Sequence, residues 1–136
     1  EFDETEISEI KTSFQQKQLK ILIAEDEEKA FDYLHIVLEN SGTELINAKN
    51  GAEAVDVMRN NPDIDLVLMD IRMPIMDGYE ATHEIRSFNK DVVIIAQTAY
   101  ALAGDKEKAL NAGCNDYISK PISRNKLLEL INKYYS

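Results

Sequence analysis

Cys114 is the only cysteine in the chain, so no internal disulfide can form, and the Cys and His spacings of a zinc site are missing as well. That usage fits a reducing, cytoplasmic setting. No apolar run comes near the roughly 20 residues that a membrane-spanning helix needs, and the first residues lack the basic-then-apolar order of a secretory signal. Basic residues are outnumbered, 15 against 25 acidic ones, for a formal net charge of −10. Nucleic-acid phosphates are held mainly by Lys and Arg, so the chain is expected to bind no nucleic acid, and to make no membrane contact of its own. Internal repeats and low-complexity tracts are absent too. What is there is a chain of 136 residues, long enough to bury one core without a disulfide or structural metal.

Residues 1–18 read as a linker or a short helical leader. Ile7, Ile10 and Phe14 have helical spacing, but Glu, Ser, Gln and Lys dominate around them. Glu1 stands where an initiator Met would be expected, which suggests a piece of something longer; Glu1-Phe2 also reads as a cloning remnant. From residue 19 the pattern becomes regular and reads as one domain to residue 136. Strands are expected at 19–24, 43–48, 64–69, 92–96 and 116–119, and helices at 28–40, 51–60, 77–87, 105–111 and 123–134. In the first helix Ala30, Leu34, Val37 and Leu38 form the expected core stripe, and Ser41-Gly42 the expected stop. Strand and helix alternate five times, which indicates an α/β sheet with right-handed crossovers and helices on both faces.

The stretch Leu66-Val67-Leu68-Met69-Asp70 organises the rest. Four apolar residues in a row suit a strand buried on both faces, and the run ends on a carboxylate. In open α/β sheets ligands bind beyond the carboxyl ends of the strands. Taken alone, Asp70 reads equally as a helix cap or a solvated turn. Glu25-Asp26 closes the first strand in the same way, however, and with a strand order of 2-1-3-4-5 the three carboxylates converge. Such crowding calls for protonation, a basic side chain or a divalent cation; hard oxygen donors suit Mg²⁺. Glu27 and Glu28 read equally as an acidic first turn that favours the helix dipole. At two further strand ends Thr98 offers a hydroxyl and Lys120 an ammonium, completing a set suited to phosphoryl transfer.

Glu25-Asp26, Met69-Asp70 with Met73-Pro74-Ile75-Met76-Asp77-Gly78, Thr98-Ala99 and Tyr117-Ile118-Ser119-Lys120-Pro121-Ile122 together resemble the receiver domain of two-component response regulators. The resemblance runs from about Lys20 to the C-terminus. It implies a flavodoxin-like (βα)5 fold with a five-stranded parallel sheet, the arrangement for which a member of this family is a standard illustration. It implies Asp70 as phosphoacceptor, accepting from a phosphohistidine. Asp26, Asp70 and the backbone carbonyl of Arg72 are implied to hold Mg²⁺ (or Mn²⁺), with Glu25 acting through water. Thr98 and Lys120 are implied to contact the phosphoryl group, Thr98 and Tyr117 to act as switch residues, and Pro121 to follow a cis peptide bond. The partner it implies is a histidine kinase or histidine phosphotransfer domain. Such a domain promotes its own phosphorylation and dephosphorylation.

Glu25 departs from the commoner aspartate, but Glu-Asp is familiar in receivers attached to sensor kinases. The bulk of Arg72 and Tyr100, two residues beyond Asp70 and Thr98, predicts a longer-lived phosphoryl group than in receivers with small residues there. Phe31, Tyr33 and Ile36 flank the core stripe of the first helix and read equally as wide-stripe packing or as the docking face for the phosphohistidine carrier. His35, His83 and Cys114 lie away from the strand ends.

The expected context is the C-terminal receiver of a hybrid sensor histidine kinase, the cytoplasmic portion of a parent that can be membrane-anchored. A stand-alone single-domain response regulator is the alternative. More distant is a phosphatase using an aspartyl-phosphate intermediate, which would need a second aspartate where Arg72 stands. A flavodoxin-like cofactor binder would need a Ser-, Thr- and Gly-rich loop in place of Glu25-Asp26-Glu27-Glu28.

Overall fold

A computed structural model describes residues 18–39, 43–99 and 104–135. Strands β1 (Lys20–Ala24), β2 (Glu44–Ala48), β3 (Leu66–Asp70), β4 (Val93–Thr98) and β5 (Asp116–Ser119) alternate with helices α1 (Glu28–Glu39), α2 (Gly51–Asn60), α3 (Gly78–Phe88), α4 (Asp105–Ala112) and α5 (Arg124–Tyr135). All strand pairs are parallel and the order is β2-β1-β3-β4-β5. This is the α/β sheet that the alternation of elements predicts, in the flavodoxin-like doubly wound form that the receiver resemblance implies. Readings that fall on the leader, Ser41-Gly42 or Tyr100 lie outside the described residues.

Strand alternation sorts the core into two clusters, one on each face of the sheet. Leu22, Val67, Met69, Ile94 and Ala96 pack on one face against Ala54, Val55 and Met58 of α2, Ala81 and Ile85 of α3, and Ala109 of α4. Ile21, Ile23, Leu66, Leu68, Ile95 and Ile118 pack on the other against Leu34 and Leu38 of α1 and Leu127 of α5. Of the expected α1 stripe, Leu34 and Leu38 are buried whereas Ala30 and Val37 are only half-buried.

Two strands differ from expectation in ways that matter at their ends. β3 starts at Leu66, because Ile64 is still in the turn, its N–H donating to the Asn61 carbonyl (3.2 Å). β4 continues past Ala96 to Thr98, because pairing holds on both sides, Gln97 with Asp70 and Thr98 with Ser119. Thr98 is therefore the last residue of the strand and not the first after it.

The loop after Asp70 is pinned by two helix starts. Gly78 N–H donates to the Ile71 carbonyl (2.9 Å) and Gly51 N–H to the Met76 carbonyl (3.0 Å). A Cβ on Gly78 would collide with the Asp70 carbonyl oxygen, and one on Gly51 with that of Met76, so only glycine permits these approaches. Asp77 caps α3 as its position suggests, its side chain accepting from Glu80 N–H at 2.9 Å.

Candidate functional site

The polar residues gather where β1, β3, β4 and β5 end. Glu25 continues the line of β1, its N–H donating to the Ala48 carbonyl (2.9 Å), while Asn47 Nδ2 donates to the carbonyls of Ile23 (2.9 Å) and Glu25 (3.3 Å). This edge contact fixes a carboxylate that is only 1% exposed. Asp26 beside it is exposed, and Asp70 is buried. Carboxylate oxygens of Glu25, Asp26 and Asp70 all lie within 4.8 Å of one another.

Lys120 crosses from β5 to this cluster. Its Nζ stands 2.8 Å from Glu25 Oε1 and 3.2 Å from Asp70 Oδ2. Lys120 N–H donates to the Thr98 carbonyl (2.7 Å), and the Lys120–Pro121 peptide bond is cis. The other Asp70 oxygen, Oδ1, accepts from Arg72 N–H (3.2 Å), and Glu25 Oε2 from Glu27 N–H (3.3 Å).

Electrostatics follow from this packing. Burial pushes the Glu25 carboxyl above the usual carboxylate range; Asp70 adds to the push, and Lys120 opposes it. Burial alone would lower the Lys120 ammonium, but its bonds to Glu25 and Asp70 outweigh burial and raise it. An ammonium that close to two carboxylates keeps its proton, so Lys120 is the fixed positive charge of the site. Three carboxylates against one ammonium leave a formal excess of two negative charges. Hard oxygens carrying that excess fit a divalent cation of the Mg²⁺ kind, which binds through few carboxylates and retains waters.

The side chains of the other expected site residues also meet groups outside this knot. Thr98 is buried, and its Oγ1 donates to Asp105 Oδ2 of α4 at 3.4 Å, on the sheet face opposite Lys120. Tyr117 is half-buried with Lys106 Nζ 5.8 Å from its ring centroid. The Arg72 side chain is exposed and, with Asp26, Ile71, Met73, Pro74, Asp77 and Tyr79, lines an open depression of about 650 Å³. Glu25, for which water-mediated action is expected, has its carboxylate engaged directly by Lys120. His35 pairs loosely with Glu39 (3.7 Å) on the outside of α1. His83 is exposed, and Cys114 is buried with its thiol pushed up by that burial.

Three neighbours of the site were not singled out from the sequence. Asn47 and Asp105 carry no sequence signal beyond their own polarity. Gln97 carries one: it is the polar residue in the otherwise apolar run Val93-Ile94-Ile95-Ala96-Gln97.

Known proteins share this sequence pattern and fold. The response regulator receiver domain family matches residues 21–132. The hybrid signal transduction histidine kinase I of Dictyostelium discoideum is 40% identical over 121 residues, 83% of this chain but 7% of that protein. The polar-differentiation response regulator DivK of Brucella anthropi is 39% identical over 116 residues, 84% of this chain and 94% of that one. Among solved structures, the fold superposes on a chain in the co-crystal of the Saccharomyces cerevisiae histidine phosphotransfer protein Ypd1 with the receiver domain of its downstream response regulator Ssk1. The TM-score there is 0.82 at 33% identity, covering 86% of this chain and 88% of that one. The receiver domain of the Pseudomonas aeruginosa sensor histidine kinase PA1611, solved with a magnesium ion in its active-site cleft, gives a TM-score of 0.78 at 36% identity, covering 87% of this chain and 98% of that one. The chain belongs to the receiver domain family of two-component response regulators.

Proposed function

We propose that this domain accepts a phosphoryl group from a phosphohistidine onto Asp70 and changes its signalling surface in response. The reading rests on one observation above all: the buried Asp70 carboxylate shares Lys120 Nζ with Glu25 and lies within 4.8 Å of the Glu25 and Asp26 carboxylates at the carboxyl end of the sheet. One Asp70 oxygen attacks phosphorus in line as the P–N bond breaks. The bond's electron pair returns to the imidazole, which leaves neutral if its other nitrogen is protonated. Asp26, Asp70 and the Arg72 carbonyl, with Glu25 behind, would hold Mg²⁺ (or Mn²⁺), which would supply positive charge to the phosphoryl oxygens. Lys120 turns from Asp70 Oδ2 toward those oxygens, and positioning with electrostatics carries the catalysis.

The product adds about −1.5 to −2 charges at one strand end. Thr98 gives up its 3.4 Å bond to Asp105 for a phosphoryl oxygen, and Tyr117 moves into the space beside it. Hydrogen bonds to charged groups contribute roughly 1.5–3 kcal/mol each. Thr98 and Lys120 together thus approach the roughly 5.5 kcal/mol that swings a two-state equilibrium from 1:99 to 99:1.

The donor is a histidine kinase or histidine phosphotransfer domain. Supporting this, Tyr33 (44% exposed) and Ile36 (64%) face outward from α1, and Ile75 (83%) stands on the loop after Asp70. Phe31 is half-buried against the core, so only part of the aromatic and aliphatic excess on α1 is available for docking. The relatives include both a hybrid kinase and a stand-alone regulator. The receiver of a hybrid sensor kinase, on its cytoplasmic portion, is the reading we adopt for the parent.

Intact mass after incubation with Mg²⁺ and acetyl phosphate tests the chemistry. A labile adduct of about 80 Da is expected, dependent on Mg²⁺ and absent in Asp70→Asn. An adduct that persists in Asp70→Asn would overturn the assignment.

A further inference from the structure

Gln97 is fully buried, at 0% exposure, yet neither Nε2 nor Oε1 of its amide has a hydrogen-bond partner among the described residues. Buried amides are almost always satisfied, because leaving one unpaired forfeits its solvation. Its place in the sheet makes this orphan informative. Gln97 is the register partner of Asp70, and its carbonyl accepts Ile71 N–H at 3.1 Å, so its backbone is fastened to the strand end that carries the proposed phosphoacceptor. Ile95, two residues earlier, belongs to the cluster covered by α1 and α5, so alternation sends Gln97 to that same face. Asp70 follows Leu68 onto it, and Glu25 follows Ile23. Glu25, Asp70 and Gln97 therefore form one cross-strand row, since Glu25 lies one step beyond the Ala24–Met69 pair. Lys120, two residues beyond Ile118, reaches into that row.

In the resting arrangement Lys120 Nζ takes an oxygen from each of Glu25 and Asp70, and Gln97 takes neither. We propose that Gln97 is a positioning residue for the modified state of Asp70, its amide gaining hydrogen bonds with the Glu25–Lys120–Asp70 group only when that group rearranges around a phosphoryl moiety. Withdrawal of Lys120 toward the phosphoryl oxygens opens acceptors in the row to the Nε2–H of Gln97, and turns a proton of the ammonium toward its Oε1. The unmet amide penalises only the resting state and so tilts the domain toward the modified one. This rests on Asp70 being the phosphoacceptor.

The test uses beryllofluoride with Mg²⁺ as the phosphoryl mimic on the full chain, comparing wild type with the near-isosteric Gln97→Met and with Gln97→Leu. Urea midpoints without beryllofluoride and beryllofluoride affinity from the thermal shift are both read. The expected result is that both variants are at least as stable as wild type when unliganded but bind beryllofluoride about tenfold more weakly. Loss of resting stability with unchanged beryllofluoride affinity would overturn the proposal, since the amide would then serve the resting fold. A wild-type chain that Mg²⁺ and beryllofluoride do not stabilise would instead overturn the phosphoacceptor reading itself, which keeps the two failures distinct.

Discussion

Lys120 is the residue on which the resting site balances. Its ammonium is the partner of a Glu25 carboxylate withdrawn from solvent, and removing one member of a buried pair strands the other. Lys120→Met in EDTA is expected to destabilise the domain by about 3–5 kcal/mol at pH 7, checked by urea denaturation. The pH dependence has a definite sign. Without Lys120, burial and Asp70 both raise the Glu25 carboxyl, so the folded chain holds its proton more tightly than the unfolded one. The variant should therefore gain stability as pH falls from 7 toward the usual 4.5, and a deficit that stayed constant over that range would refute the assignment. That Lys120 and Asp70 would come together was legible from their positions at strand ends. That Lys120 would spend its charge on Glu25 was not, because a sequence gives strand ends but not the reach of a side chain across three strands.

At the level of elements, turns carry the positioning. Asp77 caps α3 directly after the loop that leaves Asp70, so Asp77→Ala should cost about 1 kcal/mol in urea unfolding. Gly78→Ala adds a Cβ against the Asp70 carbonyl and should cost about 1–3 kcal/mol through displacement of backbone that cannot yield cheaply. Ile75 in the same loop adopts φ 71°, a left-handed conformation that a β-branched residue rarely takes, and nothing in its letter announces it. The helices were legible to within a residue or two because their apolar residues recur at helical spacing and polar residues such as Asp77 cap them. The end of β4 was not: Gln97 and Thr98 look like turn residues, and only pairing to Asp70 and Ser119 on both sides keeps them in the sheet.

For the whole molecule, the excess negative charge at one end of the sheet predicts cation-linked stability. Mg²⁺ at ten times its dissociation constant should add about 1.4 kcal/mol, seen as a raised thermal midpoint that Asp26→Asn diminishes. Ile36→Asp on the outer side of α1 should slow phosphoryl transfer from a protein donor about tenfold while leaving acetyl phosphate labelling unchanged, which radiolabel transfer kinetics would check. The α/β class was legible from the alternation of apolar strands with amphipathic helices, whereas the flavodoxin-like topology of the sheet was legible only through the resemblance of the strand-end motifs to a receiver domain. The two faces of that sheet nevertheless do different work. Gln97 belongs with Asp70 and Lys120 under α1 and α5, and Thr98, next in the chain, bonds to Asp105 on the side of α4. Loss or gain of a single residue within β4 would exchange those two addresses while leaving every neighbouring strand in place. Descendants of this sequence are thus free to vary the letters of β4 far more readily than their number, and an alignment gap there should be rarer than in any loop of the domain.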